Sequence, residues 1–143
     1  MSHTHIPASL RRLAYERAGG RCEYCGISER FSFALHQIDH IIAEKHGGAT
    51  LADNLALSCI LCNKHKGSDL ASLDPLTGEI TSLFHPRRHI WLEHFTLEAD
   101  GTLVSVTAEG RTTIRLLQMN QPERVAERRL LRTSGFWLAQ MPG

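Results

Sequence analysis

Two Cys-x-x-Cys pairs constrain this chain of 143 residues more than any other feature of its sequence. Cys22 and Cys25 form the first pair, and Cys59 and Cys62 form the second. The two-residue spacing lets each pair wrap one side of a tetrahedral ion in a tight turn, and four thiolates complete the coordination of Zn²⁺. We therefore expect a structural zinc site that holds the fold and leaves no position open for a catalytic water.

A redox-active dithiol, or two unrelated buried pairs, are the alternative explanations of these cysteines. The polar segment 1–10 shows no secretory signal, and no apolar run approaches the ~20 residues that cross a bilayer. We therefore expect a cytoplasmic protein without a membrane partner. Disulfides are rare in that compartment, and cysteine pairs there more often bind metal.

Local patterns in the first half of the chain predict an N-terminal helix and a strand. The helix begins at Pro7 and ends at Gly19 and Gly20, because proline favours a first helical turn and glycine favours its end. The aromatic and β-branched stretch 31–42 predicts a strand or hairpin arm. A short helical turn follows Cys62. The composition, with 42% hydrophobic residues, is that of a chain with an ordinary core.

The second half of the chain predicts a hairpin followed by a helix. Segments 103–107 and 112–116 have the composition of strands and are separated by a short turn. Asn120 and, three residues later, Glu123 have the spacing of a helix N-terminus, which predicts a helix to about Arg132. The chain as a whole therefore predicts an α+β fold.

Five polar residues accompany the cysteines: Asp39, His40, Asn54, Asn63 and Lys66. Taken singly they are weak signals, because a lone histidine is more often a satisfied or surface residue and an asparagine usually caps a helix or forms a turn. Their order between the two cysteine pairs is more informative than any one of them.

A family resemblance is carried by five segments within residues 8–68. They are Cys22-x-x-Cys25, Gln37-Ile38-Asp39-His40-Ile41-Ile42, Gly47-Gly48, Asp53-Asn54-Leu55 and Cys59-x-x-Cys62-Asn63-x-x-Lys66. Together they resemble the HNH endonuclease family. The resemblance implies a ββα-metal finger, in which two antiparallel strands and a helix surround one divalent ion. The third signature position is His in the type pattern and Asn in a common variant, and this chain has Asn.

The resemblance divides the chain into an HNH nuclease core with the zinc site at 7–68 and a C-terminal extension packed on that core at 69–143. It implies a DNA endonuclease that leaves a 5′ phosphate. His40, whose ordinary pKa is near ~6.5, suits the role of general base for an attacking water. A divalent ion on Asp39 and Asn63 suits the stabilisation of charge on the phosphate and the leaving oxygen. One carboxylate and one neutral oxygen favour Mg²⁺ or Mn²⁺.

Two further residues have predicted roles in this site. Asn54 is expected to brace the loop across the hairpin and to keep His40 oriented. Lys66, three residues after Asn63 on the same helix face, is expected to contact the DNA backbone or the developing charge, with a solvated surface lysine as the alternative. Adjacent strand residues point to opposite faces, so the strand must bend, bulge or end at Asp39 and His40 for both to reach one phosphate.

Arginine accounts for thirteen of the sixteen basic residues, and several arginines lie in the extension. Arg87, Arg88, Arg111 and Arg115 are candidate contacts to the DNA backbone, and a lattice of salt bridges is the alternative. A single active site that cuts both strands would favour a homodimer. Besides the endonuclease, two hypotheses remain open: a non-catalytic zinc-stabilised module that binds nucleic acid, and a thiol redox protein.

Overall fold

The computed structural model describes residues 5–137. Within these residues the chain forms five α-helices and three two-stranded antiparallel sheets. In chain order the elements are α1 (Ala8–Ala18), β1 (Gln37–His40), β2 (Leu55–Ser58), α2 (Ile60–Lys66), β3 (Ala71–Leu73), β4 (Ile80–Ser82), α3 (Trp91–His94), β5 (Thr96–Leu97), β6 (Leu103–Val104), α4 (Ala108–Leu116) and α5 (Pro122–Thr133). The predicted α+β class is confirmed.

Helix α1 begins and ends where the sequence predicts. Pro7 directly precedes its first residue, and Gly19 closes it in the left-handed conformation with φ 63°. Glycine adopts that conformation without the steric cost that a Cβ would bring. The helix buries Ala14 and Ala18 and packs against β2.

The centre of the fold is a ββα unit made of β1, β2 and α2. Strand β1 pairs with β2 so that Gln37 lies opposite Ser58 and His40 opposite Leu55. All four residues of β2 are buried, and α2 follows directly after Cys59 and packs against β1. This unit brings the end of β1 and the middle of α2 to the same region of the molecule.

The predicted strand at 31–42 is too long, because only Gln37–His40 is a strand. A 3-10 turn at Glu29–Phe31 precedes it. The carboxylate of Glu29 accepts hydrogen bonds from the His36 backbone N–H at 2.7 Å and from the Tyr15 hydroxyl at 2.9 Å. The His36 N–H is therefore satisfied by a side chain and not by a strand partner, and the strand begins only at Gln37.

The predicted pairing of 103–107 with 112–116 is wrong. Leu103 and Val104 pair with Thr96 and Leu97 instead, and 112–116 lies in helix α4. The hydroxyl of Thr107 accepts a hydrogen bond from the Gly110 N–H at 3.0 Å and so caps the start of that helix. The β-branched residues that favour a strand are overruled by this cap and by burial of Thr112 and Thr113.

The final helix, α5, begins at Pro122 after Gln121, one residue later than a cap at Asn120 predicts. The side chain of Asn120 is used elsewhere, because it exchanges hydrogen bonds with the backbone of Leu103 at 2.9 and 2.8 Å. An asparagine that bridges to a neighbouring strand cannot also cap the helix that follows it.

One hydrophobic cluster joins both halves of the described chain. It includes Tyr24 and Ile41 from the first half and Trp91, Phe95 and Leu117 from the second. The indole N–H of Trp91 also donates to the Tyr24 carbonyl at 2.8 Å. No helix within 5–137 combines the length and apolar character needed to cross a membrane.

Candidate active site and metal centre

The four cysteines converge as the sequence predicts. Their sulfur atoms all lie within 4.8 Å of one another, and each cysteine is buried. The Sγ atoms of Cys25 and Cys59 are 3.7 Å apart, which is close to the ~3.8 Å edge of a tetrahedron with metal–sulfur arms of ~2.3 Å. Four buried sulfurs at this spacing fit a structural zinc ion.

Backbone turns bring the two pairs into this arrangement. The N–H of Cys25 donates to the sulfur of Cys22 at 3.4 Å, and the N–H of Cys62 donates to the sulfur of Cys59 at the same distance. Cys59 is also the N-cap of α2. The second pair is therefore built into the start of the helix that carries Asn63.

Arg124, on α5, contacts the cysteine cluster from the extension. Its Nη2 lies 2.9 Å from the sulfur of Cys62 and 3.8 Å from that of Cys59, and its Nη1 donates to the Leu117 carbonyl at 2.7 Å. Burial alone would lower the pKa of Arg124, but the neighbouring thiolates outweigh it and the pKa is raised. A tetrathiolate zinc centre carries a net charge of about −2, which a buried guanidinium partly offsets. No sequence signal indicates this contact.

Asp39, His40 and Asn63 line one cavity of about 260 Å³. Strand β1 ends at His40. This agrees with the expectation that the strand bends, bulges or ends here, so that Asp39 and His40 can reach one phosphate. Asp39 and His40 are 9% and 5% exposed. The cavity is also lined by Arg11 and Tyr15 of α1.

Lys66 lies behind the Asp39 carboxylate. Its ammonium is 3.2 Å from Oδ2 of Asp39 and donates to the Ile41 carbonyl at 3.0 Å, and the residue is only 2% exposed. The solvated alternative for Lys66 is therefore wrong, and its contact with the DNA backbone or the developing charge stays a prediction. Helix α2 packs against β1 and directs this side chain into the interior, so any effect of Lys66 on the site passes through Asp39.

The Asp39 carboxyl group is held by a second donor as well. The hydroxyl of Tyr24 donates to Oδ2 of Asp39 at 3.3 Å. Burial raises the pKa of Asp39 above its ordinary value, and Lys66, Tyr24 and His40 each oppose that shift. Burial is the larger effect, so the pKa stays raised overall, and these neighbours offset part of the cost of burying the charge.

Thr50 contacts His40, a partner that the sequence analysis did not identify. The Oγ1 of Thr50 lies 2.9 Å from Nε2 of His40. Thr50 belongs to the loop between β1 and β2, ten residues after His40 in the chain. A hydroxyl at this position fixes the plane of the imidazole and occupies one of its two nitrogens.

Asn54 holds that loop together. Its Nδ2 donates to the carbonyls of Ile42 and Ala49 at 2.9 and 2.8 Å, and its Oδ1 accepts from the Ile42 N–H at 2.9 Å. The backbone packs so closely here that a Cβ at Gly48 would lie 1.7 Å from the Ile42 carbonyl oxygen. These contacts are those of a residue that braces the loop, and its part in catalysis stays a prediction.

Asn63 lies on α2 beside the first residue of β1. Its backbone N–H donates to the Cys59 carbonyl at 2.9 Å, and its Nδ2 donates to Oε1 of Gln37. Gln37 also lines the cavity. Cys59 and Cys62 lie in the turn that leads into Asn63, so a zinc ion bound to them would fix the backbone of Asn63. Gln37 holds its side chain.

His36 is a second buried histidine in the lining of the cavity. It precedes β1, and its Nε2 lies 2.9 Å from the Ile27 carbonyl. Its Nδ1 is buried without a hydrogen-bond partner among the described residues. His36 is therefore the competitor to His40 for the role of base.

The four arginines predicted to contact DNA divide into two kinds. Arg87 pairs with Glu23, and Arg111 makes two hydrogen bonds to the carboxylate of Asp74, at 3.0 and 2.8 Å. The ion-pair alternative is therefore confirmed for these two. Arg88 and Arg115 are exposed. The described lining of the Asp39 cavity includes Arg11 and none of these four, so their contact with DNA stays a prediction.

Comparison with known proteins gives one match. Residues 22–69, about a third of the chain, match the family model described as HNH endonuclease. We found no match among curated proteins or among solved structures. The matched segment contains both cysteine pairs, Asp39, His40 and Asn63, and it excludes α1 and everything after Asp69.

Proposed function

We propose that this protein is a metal-dependent DNA endonuclease. The premise is that residues 22–69, which match the HNH endonuclease family model, form an HNH domain, a type of domain found in nucleases and nucleic-acid-binding proteins. One observation carries the proposal: Asp39, His40 and Asn63 line a single cavity beside a four-cysteine site that fits zinc. A thiol redox protein would not require this second set of residues. Their convergence supports hydrolysis over simple binding.

The donor set suits a hard divalent cation. The residues that would hold Mg²⁺ or Mn²⁺ are Asp39, through its carboxylate, and Asn63, through its amide oxygen. When bound, such an ion would stabilise charge on the phosphate and on the departing 3′ oxygen, which leaves a 5′ phosphate on the product. Lys66 opposes the rise in the pKa of the buried Asp39 carboxyl group and so favours the charged form that binds a cation.

His40 acts as the general base in this proposal. Thr50 occupies its Nε2, which leaves Nδ1 to take a proton from the attacking water. Asn54 holds the loop that carries Thr50. These two residues therefore position the imidazole and do not themselves react.

The non-catalytic alternative is favoured by one contact. Oδ2 of Asp39 already accepts hydrogen bonds from Lys66 and Tyr24, so this carboxylate has partners without a second metal ion. A zinc-stabilised module that only binds nucleic acid would make the same contacts. The two functions differ in whether the cavity supports bond cleavage.

Nicking of supercoiled plasmid tests the proposal. We expect nicking that depends on Mg²⁺ or Mn²⁺ and that falls by about 10² to 10⁴ fold in His40→Ala, the range lost with a general base. Zinc content should stay unchanged. His46→Ala, which alters an exposed histidine in the neighbouring loop, is the matched control and should cut like the wild type.

The outcomes separate the hypotheses. DNA binding without nicking by the wild type, in either cation, would favour the non-catalytic module. Full activity in His40→Ala together with loss in His36→Gln would assign the base to His36. The cytoplasmic location, the homodimer and the boundary at residue 68 stay predictions, and dimerisation is tested by sedimentation with and without DNA.

A further inference from the structure

We propose that Gln37 is a positioning residue of the candidate catalytic metal site, which selects the oxygen of the Asn63 amide for the cation. The inference rests on the proposed function, because it concerns the ion that Asp39 and Asn63 would hold. It follows from one contact, the hydrogen bond from Nδ2 of Asn63 to Oε1 of Gln37.

Placement on β1 brings Gln37 into the site. It lies two residues before Asp39, and residues two apart on a strand point to the same side of a sheet. Both residues line the cavity with Asn63. Gln37 also lies opposite Ser58, directly before the cysteine that caps α2. It therefore bridges the strand that carries Asp39 and the helix that carries Asn63.

The chemistry of an amide makes such a partner necessary. The side chain of asparagine has an oxygen that binds cations and an NH₂ group that repels them, and a half-turn about its last torsion exchanges the two. When Gln37 accepts a hydrogen bond from the NH₂ group of Asn63, the oxygen of Asn63 is left for the cation. A glutamine can also turn over and donate its own NH₂ to that oxygen.

The Gln37–Asn63 pair therefore has two hydrogen-bonded arrangements, and the one in which Gln37 accepts presents the Asn63 oxygen to the cation. Glutamate at position 37 is expected to accept only, so Gln37→Glu removes the unproductive arrangement. Methionine has nearly the same length and cannot accept a strong hydrogen bond. Gln37→Met therefore removes the hydrogen bond that orients the Asn63 amide, with little change in side-chain volume.

Binding of Mn²⁺ to zinc-loaded protein, followed by electron paramagnetic resonance of the free aquo ion, measures this role without catalysis. We expect Gln37→Met to weaken Mn²⁺ binding by about 10 to 100 fold, the usual effect of losing a partner of a metal ligand. Gln37→Glu should bind at least as tightly as the wild type. Gln121→Met, the same substitution at a half-buried position in the extension, is the control and should change nothing.

The same Gln37 substitution made in an Asn63→Asp variant tests whether Gln37 acts by orienting the amide of residue 63. In Asn63→Asp both terminal atoms of residue 63 are oxygens, so the choice between them disappears. Gln37→Met should then change Mn²⁺ affinity by less than about twofold, because only the orientation step is lost. An equal loss in both backgrounds would show that Gln37 binds the ion itself, and it would overturn the positioning role. Failure of Gln37→Glu to bind would overturn it as well.

The experiment also separates this inference from the proposed function. If the wild type binds Mn²⁺ and Asp39→Ala does not, the metal site stands, and unchanged affinity in Gln37→Met overturns the inference alone. If the wild type and Asp39→Ala bind equally, or neither binds, both are overturned. Zinc content and the midpoint of thermal unfolding identify any variant that fails to fold, and Gln37→Ser is then the replacement.

Discussion

The segment that matches the HNH family model and the C-terminal extension use polar side chains in opposite ways. In residues 22–69 the polar groups of Asp39, His40 and Asn63 line a cavity. In the extension Arg124 and Arg128 are nearly fully buried, and their guanidinium groups donate to backbone carbonyls such as those of Leu117 and Met119. Two arginines of this extension are therefore part of its interior, whereas Arg88, Arg115, Arg129 and Arg132 are exposed.

That difference has a consequence for the location of a DNA-binding surface. A sequence rich in arginine suggests phosphate contacts, yet two of the four arginines predicted for that role are held by Glu23 and Asp74. The arginine that lines the candidate cavity, Arg11, comes from α1. The N-terminal helix is therefore the nearer source of positive charge to this cavity.

Loss of a zinc ligand is expected to have the largest effect on the stability of both regions. Zinc contributes about 10 to 16 kcal/mol in small zinc domains, as much as the whole stability of an ordinary domain. We expect Cys62→Ser to lose zinc and to unfold both regions, because Arg124 links α5 to the same cysteine. Hydrogen exchange of α2 and α5, with zinc analysis, measures this.

Protection of α5 in that variant would show that the extension folds independently. As a control, mild EDTA treatment of the wild type should remove a weakly held Mg²⁺ and abolish nicking while the helical signal persists. Loss of that signal as soon as Mg²⁺ is withdrawn would contradict the separation of the two metal sites.

Arg124→Ala removes the contact between α5 and the cysteine cluster and leaves all four cysteines in place. We expect a loss of about 3 to 5 kcal/mol in the free energy of unfolding, because the thiolates are left with a buried unpaired charge. Zinc affinity should fall by about 10 to 100 fold in competition with a chromogenic chelator. Arg124→Lys keeps the charge and should lose less; zinc affinity equal to that of the wild type in Arg124→Ala would refute the role of this contact.

Arg111→Ala tests an ion pair wholly within the extension. The hydrogen bonds from Arg111 hold the pKa of Asp74 well below its usual range. A depressed carboxyl pKa stabilises the folded state above the unfolded value of ~3.9, and this contribution is lost as the pH falls. The variant should therefore have a lower midpoint of thermal unfolding at pH 7, and the difference should shrink towards pH 2. A difference independent of pH would assign the effect to packing.

The smallest expected effects concern exposed arginines. Arg115→Ala should change stability by no more than about 0.5 kcal/mol. If the cavity side of α1 faces DNA, Arg11→Ala should weaken DNA binding and reduce the slope of log affinity against log salt by about 1, and Arg115→Ala should leave it unchanged. The reverse result would place the DNA on the extension.

Much of the candidate site could be predicted because its signals are local. The spacing of the cysteines and the adjacency of Cys62 and Asn63 both follow from a few consecutive residues. The burial of Lys66 could not be predicted, because it depends on how α2 packs against β1. The strand assigned to 112–116 failed for a similar reason, since the cap at Thr107 and the burial of that segment outweighed its β-branched composition.

By itself, the sequence determined which atoms are available for chemistry: four thiolates in two turns, and a carboxylate, an imidazole and an amide in a fixed order. The tertiary structure decided which partners hold them. Gln37 meets Asn63 across 26 residues, and Arg124 meets Cys62 across 62. Contacts over such separations form only when the core packs, so no short-range pattern specifies them.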